Sequence, residues 1–488
     1  MRTLRQLIFD NSYGRLPPAF SARLPVSPLH NARLGSFNAK AADLLDLHPE
    51  EAGNDELVKL LNGQIEWPGT EPLASVYAGH QFGHFVPQLG DGRAILLGEV
   101  VNSRGQRWDV QLKGAGPTPF SRMGDGRAVL RSTIREYLCS EAMHGLGIPS
   151  TRALCLLTSE HPVRRETMEP GALLVRLAPT HVRFGTFEYF YHRHAHGELR
   201  TLADYVIENH FPHLSERSDK YPAWLLEVVT RTAHLIARWQ SVGFAHGVMN
   251  TDNMSILGIT LDYGPFGFLD QYDPGLICNH SDDSGRYAFE RQPNVALWNL
   301  VCLAEALTPL MSIDEAKNAL EAYQPAFAQH YFDLMSSKIG IKQRDQEVHA
   351  IFTDCLDLLQ ANQVDYTRFF RALSQFKTAG PQTVALRDMF LQRELFDSWT
   401  ARYGAKLRAE NSDDAERASR MNRVNPKYIL RNYLAENAIK QAQNEGDFSE
   451  VDTLLKLVQH PFDEHPEHEA YAADPPEWAR KIEVSCSS

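Results

Sequence analysis

Between His246 and Asp262 the chain gathers groups suited to phosphates and a metal: His246-Gly-Val-Met-Asn-Thr-Asp252-Asn253 and, nine residues on, Asp262-Tyr263-Gly264. An amide oxygen on Asn253 and a carboxylate on Asp262 suit a hard divalent cation, with phosphate oxygens and water completing its shell. Two places after the histidine, where phosphotransfer would use a carboxylate to take a hydroxyl proton, stands Val248. Valine takes no proton. Asp252 offers the nearest carboxylate, although Asn250-Thr-Asp-Asn253 is rich in turn formers and an Asx turn is the other use for that side chain.

The spacing of His246, Asn253 and Asp262 is that of a protein-kinase catalytic loop and metal motif without its base. Further groups agree with a nucleotide site. Gly90 and Gly92, in Leu89-Gly-Asp-Gly-Arg93, let backbone approach a ligand closely. Lys113 ends an apolar strand, from which an ammonium can reach phosphates. A helix carboxylate should pair with it; Glu136 and Glu141 are the candidates, and periodicity does not choose between them. From Lys113 to Arg127 the chain is rich in glycine and carries Arg122 and Arg127 just before a helix, a place that favours anions. Arg176, in an apolar strand, and Arg183 each call for an anionic partner, either a phosphate or a structural carboxylate.

These residues need a scaffold of strands followed by helices. Ala94–Val100 and Trp108–Lys113 flank Ser103-Arg-Gly105 and read as a hairpin, and Leu173–Leu177 reads as another strand. Apolar positions predict helices at 127–144, stopped by Gly145 and Gly147, and at 225–239, stopped by Gly243. Ser255–Leu257 and Thr260–Leu261 should pair across Gly258-Ile259, returning Asp262 beside Asn253. Residues before 76 read as an irregular arm with one helix near 38–47, and helical stretches such as 384–403 and 428–443 dominate the C-terminal part. The expected fold class is α+β: a kinase-like bilobal fold with an N-terminal arm (1–75), a small lobe (76–200), a large lobe (201–400) and a C-terminal helical extension (401–488).

Five segments are long and contiguous: Tyr77-Ala-Gly-His-Gln-Phe-Gly-His84, Lys113-Gly-Ala-Gly-Pro-Thr-Pro-Phe-Ser-Arg122, Gly124-Asp-Gly-Arg-Ala-Val-Leu-Arg131, His246–Asn253 and Asn425-Pro-Lys-Tyr428. On these the chain resembles the selenoprotein O family of pseudokinases. The resemblance implies ATP bound turned around, so that AMP (or UMP from UTP), not phosphate, passes to protein Ser, Thr or Tyr hydroxyls. It implies that Gly90, Gly92 and Arg93 form the nucleotide loop and that Glu136 orients Lys113. Asp125 and Gly126 would cover the nucleotide, and Arg176 and Arg183 would grip phosphates. Asp252 would be the proton acceptor, with Asn253 and Asp262 holding Mg²⁺ or Mn²⁺. Where some relatives carry selenocysteine, this chain has Cys486, and Cys278 is its expected disulfide partner. The alternatives are an ordinary kinase using Asp252 as base and a noncatalytic ATP-binding scaffold.

Composition bounds the rest. The 488 residues carry a net charge of −12, which disfavours a nucleic-acid partner. With 43% hydrophobic and 23% charged residues, a mean hydropathy of −0.35 and no long apolar run, the expectation is a cytoplasmic monomer acting on proteins, without a membrane partner. Six cysteines form no Cys-x-x-Cys pair, and His460, His465 and His468 lie in a polar segment that reads as solvated surface.

Overall fold

Alternation along two central strands decides which side chains reach the cleft. The computed structural model, which describes residues 1–379 and 384–485, is mixed α and β. In chain order its strands are β1 (Ser21–Arg23), β2 (Arg33–Phe37), β3 (Leu73–Ser75), β4 (Gly79–Gln81), β5 (His84–Val86), β6 (Ala94–Val101), β7 (Arg107–Lys113), β8 (Ala128–Val129), β9 (Arg152–Arg164), β10 (Met168–Ala178), β11 (Phe244–Ala245) and β12 (Gly267–Phe268). Among the described residues the main sheet runs β1-β3-β6-β7-β10-β9-β2, with β8 also on β10. β6 and β7 form the expected hairpin, and β10 pairs antiparallel with β7 so that Arg176 faces Gln111 and Leu174 faces Lys113.

Successive strand residues point to opposite faces. Val110 and Leu112 of β7 and Leu173, Val175 and Leu177 of β10 pack on one face against Leu4, Leu45, Leu57, Leu60 and Trp67 from the N-terminal segment. The residues between them, Gln111, Lys113, Leu174 and Arg176, therefore share the other face. That face receives the helix Leu130–Gly145 through Ile134, Tyr137 and Leu138. The helix starts later than the apolar pattern suggests, because Ala128 and Val129 pair with β10 as β8. It ends at Gly145, with Gly147 following at φ +74°, as expected, and Gly145 has a second use. A Cβ there would lie 2.0 Å from the Val458 carbonyl oxygen, so this glycine lets the helix Ser449–Gln459 pack close.

The helix Lys220–Val242 ends, as expected, at Gly243 with φ +72°, and delivers the chain through β11 to His246. The return to Asp262 is looser than the expected hairpin: Met254 bridges Thr260, while Ser255 bridges Arg183. The stretch read as one helix over 384–403 is two, Val384–Arg387 and Arg393–Ala409. Phe390 between them is buried against Phe369 and Phe396, which draws the chain inward at that point. Tyr428 precedes its helix, which spans Asn432–Glu445. Among the described residues no helix is long and apolar enough to cross a membrane.

Candidate functional site

Strand period, the helix behind the sheet and the 246–262 loop bring five charged side chains to one point. Lys113 Nζ donates to Glu136 Oε2 at 2.5 Å and to Asp262 Oδ1 at 3.3 Å. Arg176 donates to Glu136 Oε1 at 3.1 Å and also to Asp262 and Gln111. Arg183 Nη1 reaches Asp262 Oδ2 at 2.9 Å and the Asp252 carbonyl oxygen at 2.6 Å, and its guanidinium lies 4.6 Å over the Tyr77 ring. Both arginines thus have carboxylate partners, and Glu136, not Glu141, serves Lys113. Glu141 is buried against Arg152 at 2.7 Å and Gln459 at 3.0 Å.

This clustering sets the charge states. Burial pushes the Asp262 carboxyl up, but Arg176, Lys113 and Arg183 outweigh it and hold it well below the usual range. Burial lowers Lys113, and Glu136 and Asp262 offset part of that. Asp262 is thus an anion capped by three cations. Asp252 is different: burial raises its carboxyl to about 7, with Arg183 and Gln81 pulling the other way. Its Oδ2 accepts from Gln81 Nε2 at 3.2 Å, and among the described residues its buried Oδ1 has no hydrogen-bond partner.

His246 is structural here. Burial lowers it to about 4, and the neutral ring accepts from the Val248 N–H at 3.3 Å while Nε2 lies 2.9 Å from the Asp262 carbonyl oxygen. It stacks on Trp239 with ring centroids 5.2 Å apart. Asn253 Nδ2 donates to the Val248 carbonyl at 2.9 Å, which leaves its amide oxygen for a ligand. Asn253 and Asp262 line a cleft of about 460 Å³ together with Gly92, Arg93, Lys113, Arg176, Arg183 and Asp252. An amide oxygen and a carboxylate lining one cleft are donors of the kind a hard divalent cation takes.

A second cleft, of about 620 Å³, shares Tyr77, Gln81, Gly92, Arg93, Arg122 and Asp252 with the first and adds Gly90, Asp125 and Gly126. Gly90, at φ +90°, and Gly92 are required by a loop as well as by any ligand: a Cβ on them would lie 2.5 Å from the Phe120 ring and 2.9 Å from the Phe120 carbonyl oxygen. Gly126, at φ +68°, is pressed against Gly116 in the same way. Asp125 is paired with Arg165 at 2.7 Å. Arg127, expected beside an anion, is instead anchored to the Ser27 carbonyl at 2.7 Å, tying the glycine-rich loop to the N-terminal segment.

Cys278 donates its thiol to the Pro265 carbonyl at 3.0 Å, and burial raises it to about 12. Cys486 lies outside the described residues, although the His280 N–H donates to the Val484 carbonyl at 2.8 Å. The residues that sequence reasoning left without a role are Tyr77, Gln81 and Gln111. The only signal for the first two is that they belong to the contiguous segment Tyr77–His84.

A family model described as protein adenylyltransferase SelO matches residues 3–459. The protein nucleotidyltransferase YdiU of Myxococcus xanthus is 59% identical over the whole of both chains, that of Thiobacillus denitrificans 57%, and that of Thioalkalivibrio sulfidiphilus 56%. A match of this extent, carried by a chain whose cationic cluster and 246–262 loop meet in one cleft, makes this protein a member of the SelO protein adenylyltransferase family.

Proposed function

We propose that this chain transfers AMP from ATP, or UMP from UTP, to Ser, Thr or Tyr hydroxyls of proteins, on a kinase-like bilobal scaffold that binds the nucleotide turned around. The observation that carries the reading is a loop that has valine at the usual base position and, four residues on, a buried carboxylate, Asp252, in a cleft lined by Lys113, Arg176 and Arg183. The acceptor oxygen attacks the α-phosphorus, the bond from that phosphorus to the bridging oxygen breaks, and pyrophosphate leaves. The hydroxyl proton goes to Asp252, whose raised pKa suits a base working near neutrality. Lys113, oriented by Glu136, and Arg176 and Arg183 meet the charge on the phosphates. Gly90, Gly92, Arg93, Asp125 and Gly126 surround the rest of the nucleotide. Asn253 and Asp262 would hold Mg²⁺ or Mn²⁺, which supplies charge neutralisation on the phosphates. A loose transition state asks little of a base, so Val248 does not preclude transfer.

On this reading residues 76–200 and 201–400 act as the two lobes, 1–75 as the arm and 401–488 as the extension of a cytoplasmic monomer that has protein substrates. Cys278 and Cys486 are the pair through which oxidation would act. The test is ATP labelled at either the α or the γ phosphate, incubated with the protein and a divalent cation. Label entering protein from the α position alone is expected. Label from the γ position alone would establish an ordinary kinase, and label from neither a noncatalytic scaffold.

A further inference from the structure

The tight turn formed by β4 and β5 has no part in the chemistry so far, yet four consecutive residues of it bind the catalytic loop. Gly79 lies so close that a Cβ on it would be 2.8 Å from Asp252 Oδ1 and 3.0 Å from Thr251 Oγ1. The His80 N–H donates to Thr251 Oγ1 at 2.7 Å. Gln81 Nε2 donates to Asp252 Oδ2 at 3.2 Å. The Phe82 N–H donates to the Tyr287 hydroxyl at 2.9 Å and the Asn250 side-chain oxygen at 3.3 Å, and Tyr287 itself donates to that oxygen at 2.6 Å. Phe82 at φ +50° and Gly83 at φ +84° turn the chain back after these contacts.

A buried carboxylate locks the turn from behind. Glu188, 1% exposed, on the helix Phe184–Tyr191, lies 2.5 Å from His80 Nδ1 through one oxygen and accepts from the Thr251 hydroxyl through the other. Cys302 completes a group of ligand-type atoms within 4.8 Å. Both Glu188 oxygens are engaged by His80 and Thr251, so the arrangement is explained as a hydrogen-bonded anchor without a metal. The same helix comes in so closely that a Cβ on Gly185 would be 3.3 Å from the Asp252 Cα.

Every other contact in this set fixes backbone or a neighbouring side chain. Among the described residues, Gln81 alone is a side chain that hydrogen-bonds the Asp252 carboxylate, and it does so on the wall of both clefts. We propose that Gln81 is a positioning residue for the transfer reaction: it fixes the orientation of the Asp252 carboxylate toward the acceptor hydroxyl, on a turn that Glu188, His80 and Thr251 hold in place. This rests on the reading of Asp252 as proton acceptor. Without the amide donor, the Asp252 carboxylate loses the hydrogen bond it accepts from Gln81 and turns about its side-chain torsions, so the fraction of encounters with the proton acceptor aligned falls.

The experiment compares Gln81→Met, which keeps length and removes the donor, Gln81→Glu, which sets a second carboxylate against Asp252, and Asp252→Asn. Full-length protein is assayed with α-labelled ATP for kcat and for KM toward ATP, alongside thermal unfolding. For Gln81→Met kcat should fall about tenfold, with KM for ATP within about twofold of wild type and the unfolding midpoint unchanged. Gln81→Glu should fall further. Wild-type kcat in Gln81→Met, a loss confined to KM, or a loss that tracks a lowered midpoint would overturn the proposal. Asp252→Asn separates the two readings: if it turns over like wild type, the base assignment itself fails, whereas an inactive Asp252→Asn beside a fully active Gln81→Met removes only the role given to Gln81.

Discussion

Lys338 lies in the helix Tyr323–Lys338, 3% exposed, and among the described residues its ammonium has no ion pair or hydrogen bond. Its neighbours are the rings of Phe370 at 4.6 Å and Tyr366 at 5.3 Å. Burial alone lowers it to about 7 from an ordinary value of 10.5. The folded-state pKa lies below the unfolded one, so the unfolded chain binds the extra proton between pH 7 and 10.5 and stability rises with pH across that window. The whole penalty, present below pH 7, is about 5 kcal/mol. Near pH 7.5 it is about 4 kcal/mol and near pH 9 about 2 kcal/mol. Lys338→Met fills the same space without the charge and gives up ring contacts worth about 1 kcal/mol. Urea unfolding of both proteins at the two pH values is the assay, with free energies from midpoint shifts at a common slope. The variant should be the more stable at pH 7.5, and its advantage should shrink by about 2 kcal/mol by pH 9. An advantage that stays constant between the two would refute the reasoning, since a packing gain carries no proton.

Two other predictions concern charged clusters. Asp262 is capped by Lys113, Arg176 and Arg183, so Mn²⁺ should bind weakly until nucleotide phosphates draw those cations away. Calorimetry should show Mn²⁺ binding at least about tenfold tighter with a non-transferable ATP analogue present, a coupling of about 1.4 kcal/mol, and equal affinity would count against the capping argument. Arg431, 2% exposed, binds Asp270 and, at 2.8 Å, Asp365, whose carboxyl burial raises. Arg431→Met should cost about 3–5 kcal/mol by stranding that acid. Adding Asp365→Asn should recover part of the loss in thermal unfolding, and no recovery would mean that the arginine acts through packing alone.

What could be read from the sequence follows the range of the interactions. The strands that carry Lys113 and Arg176 were legible, because strand patterning needs only neighbours, whereas the register of β7 on β10 that sets the two side chains on one face was not. The spacing of Asn253 and Asp262 was legible for the same reason, although the pairing that returns Asp262 is a single bridge from Met254 and not the expected ladder. Glu136 and Glu141 were indistinguishable, because both sides of their helix are buried and each faces a different arginine. The helix end at Gly145 was legible, whereas the close helix contact that also demands glycine there was not, because only the position of Val458 reveals it.

The Gln81–Asp252 contact joins residues 171 positions apart, and no local pattern announces it. What marks the turn in the sequence is two glycines, Gly79 and Gly83, flanking His80-Gln-Phe82. Gly79 is there because Asp252 and Thr251 occupy the space of its Cβ, and Gly83 has Arg286 atoms 3.3 Å from where a Cβ would stand. Crowding of this kind ties the turn to the loop more tightly than hydrogen bonds alone, because a shift of either by a few tenths of an ångström meets hard contact before it meets a lost bond. With valine at position 248, the carboxylate of the loop that meets this turn is the one at 252. Asp252 is contacted from the side by a separate turn, which is itself tied to the loop through Thr251 and Asn250.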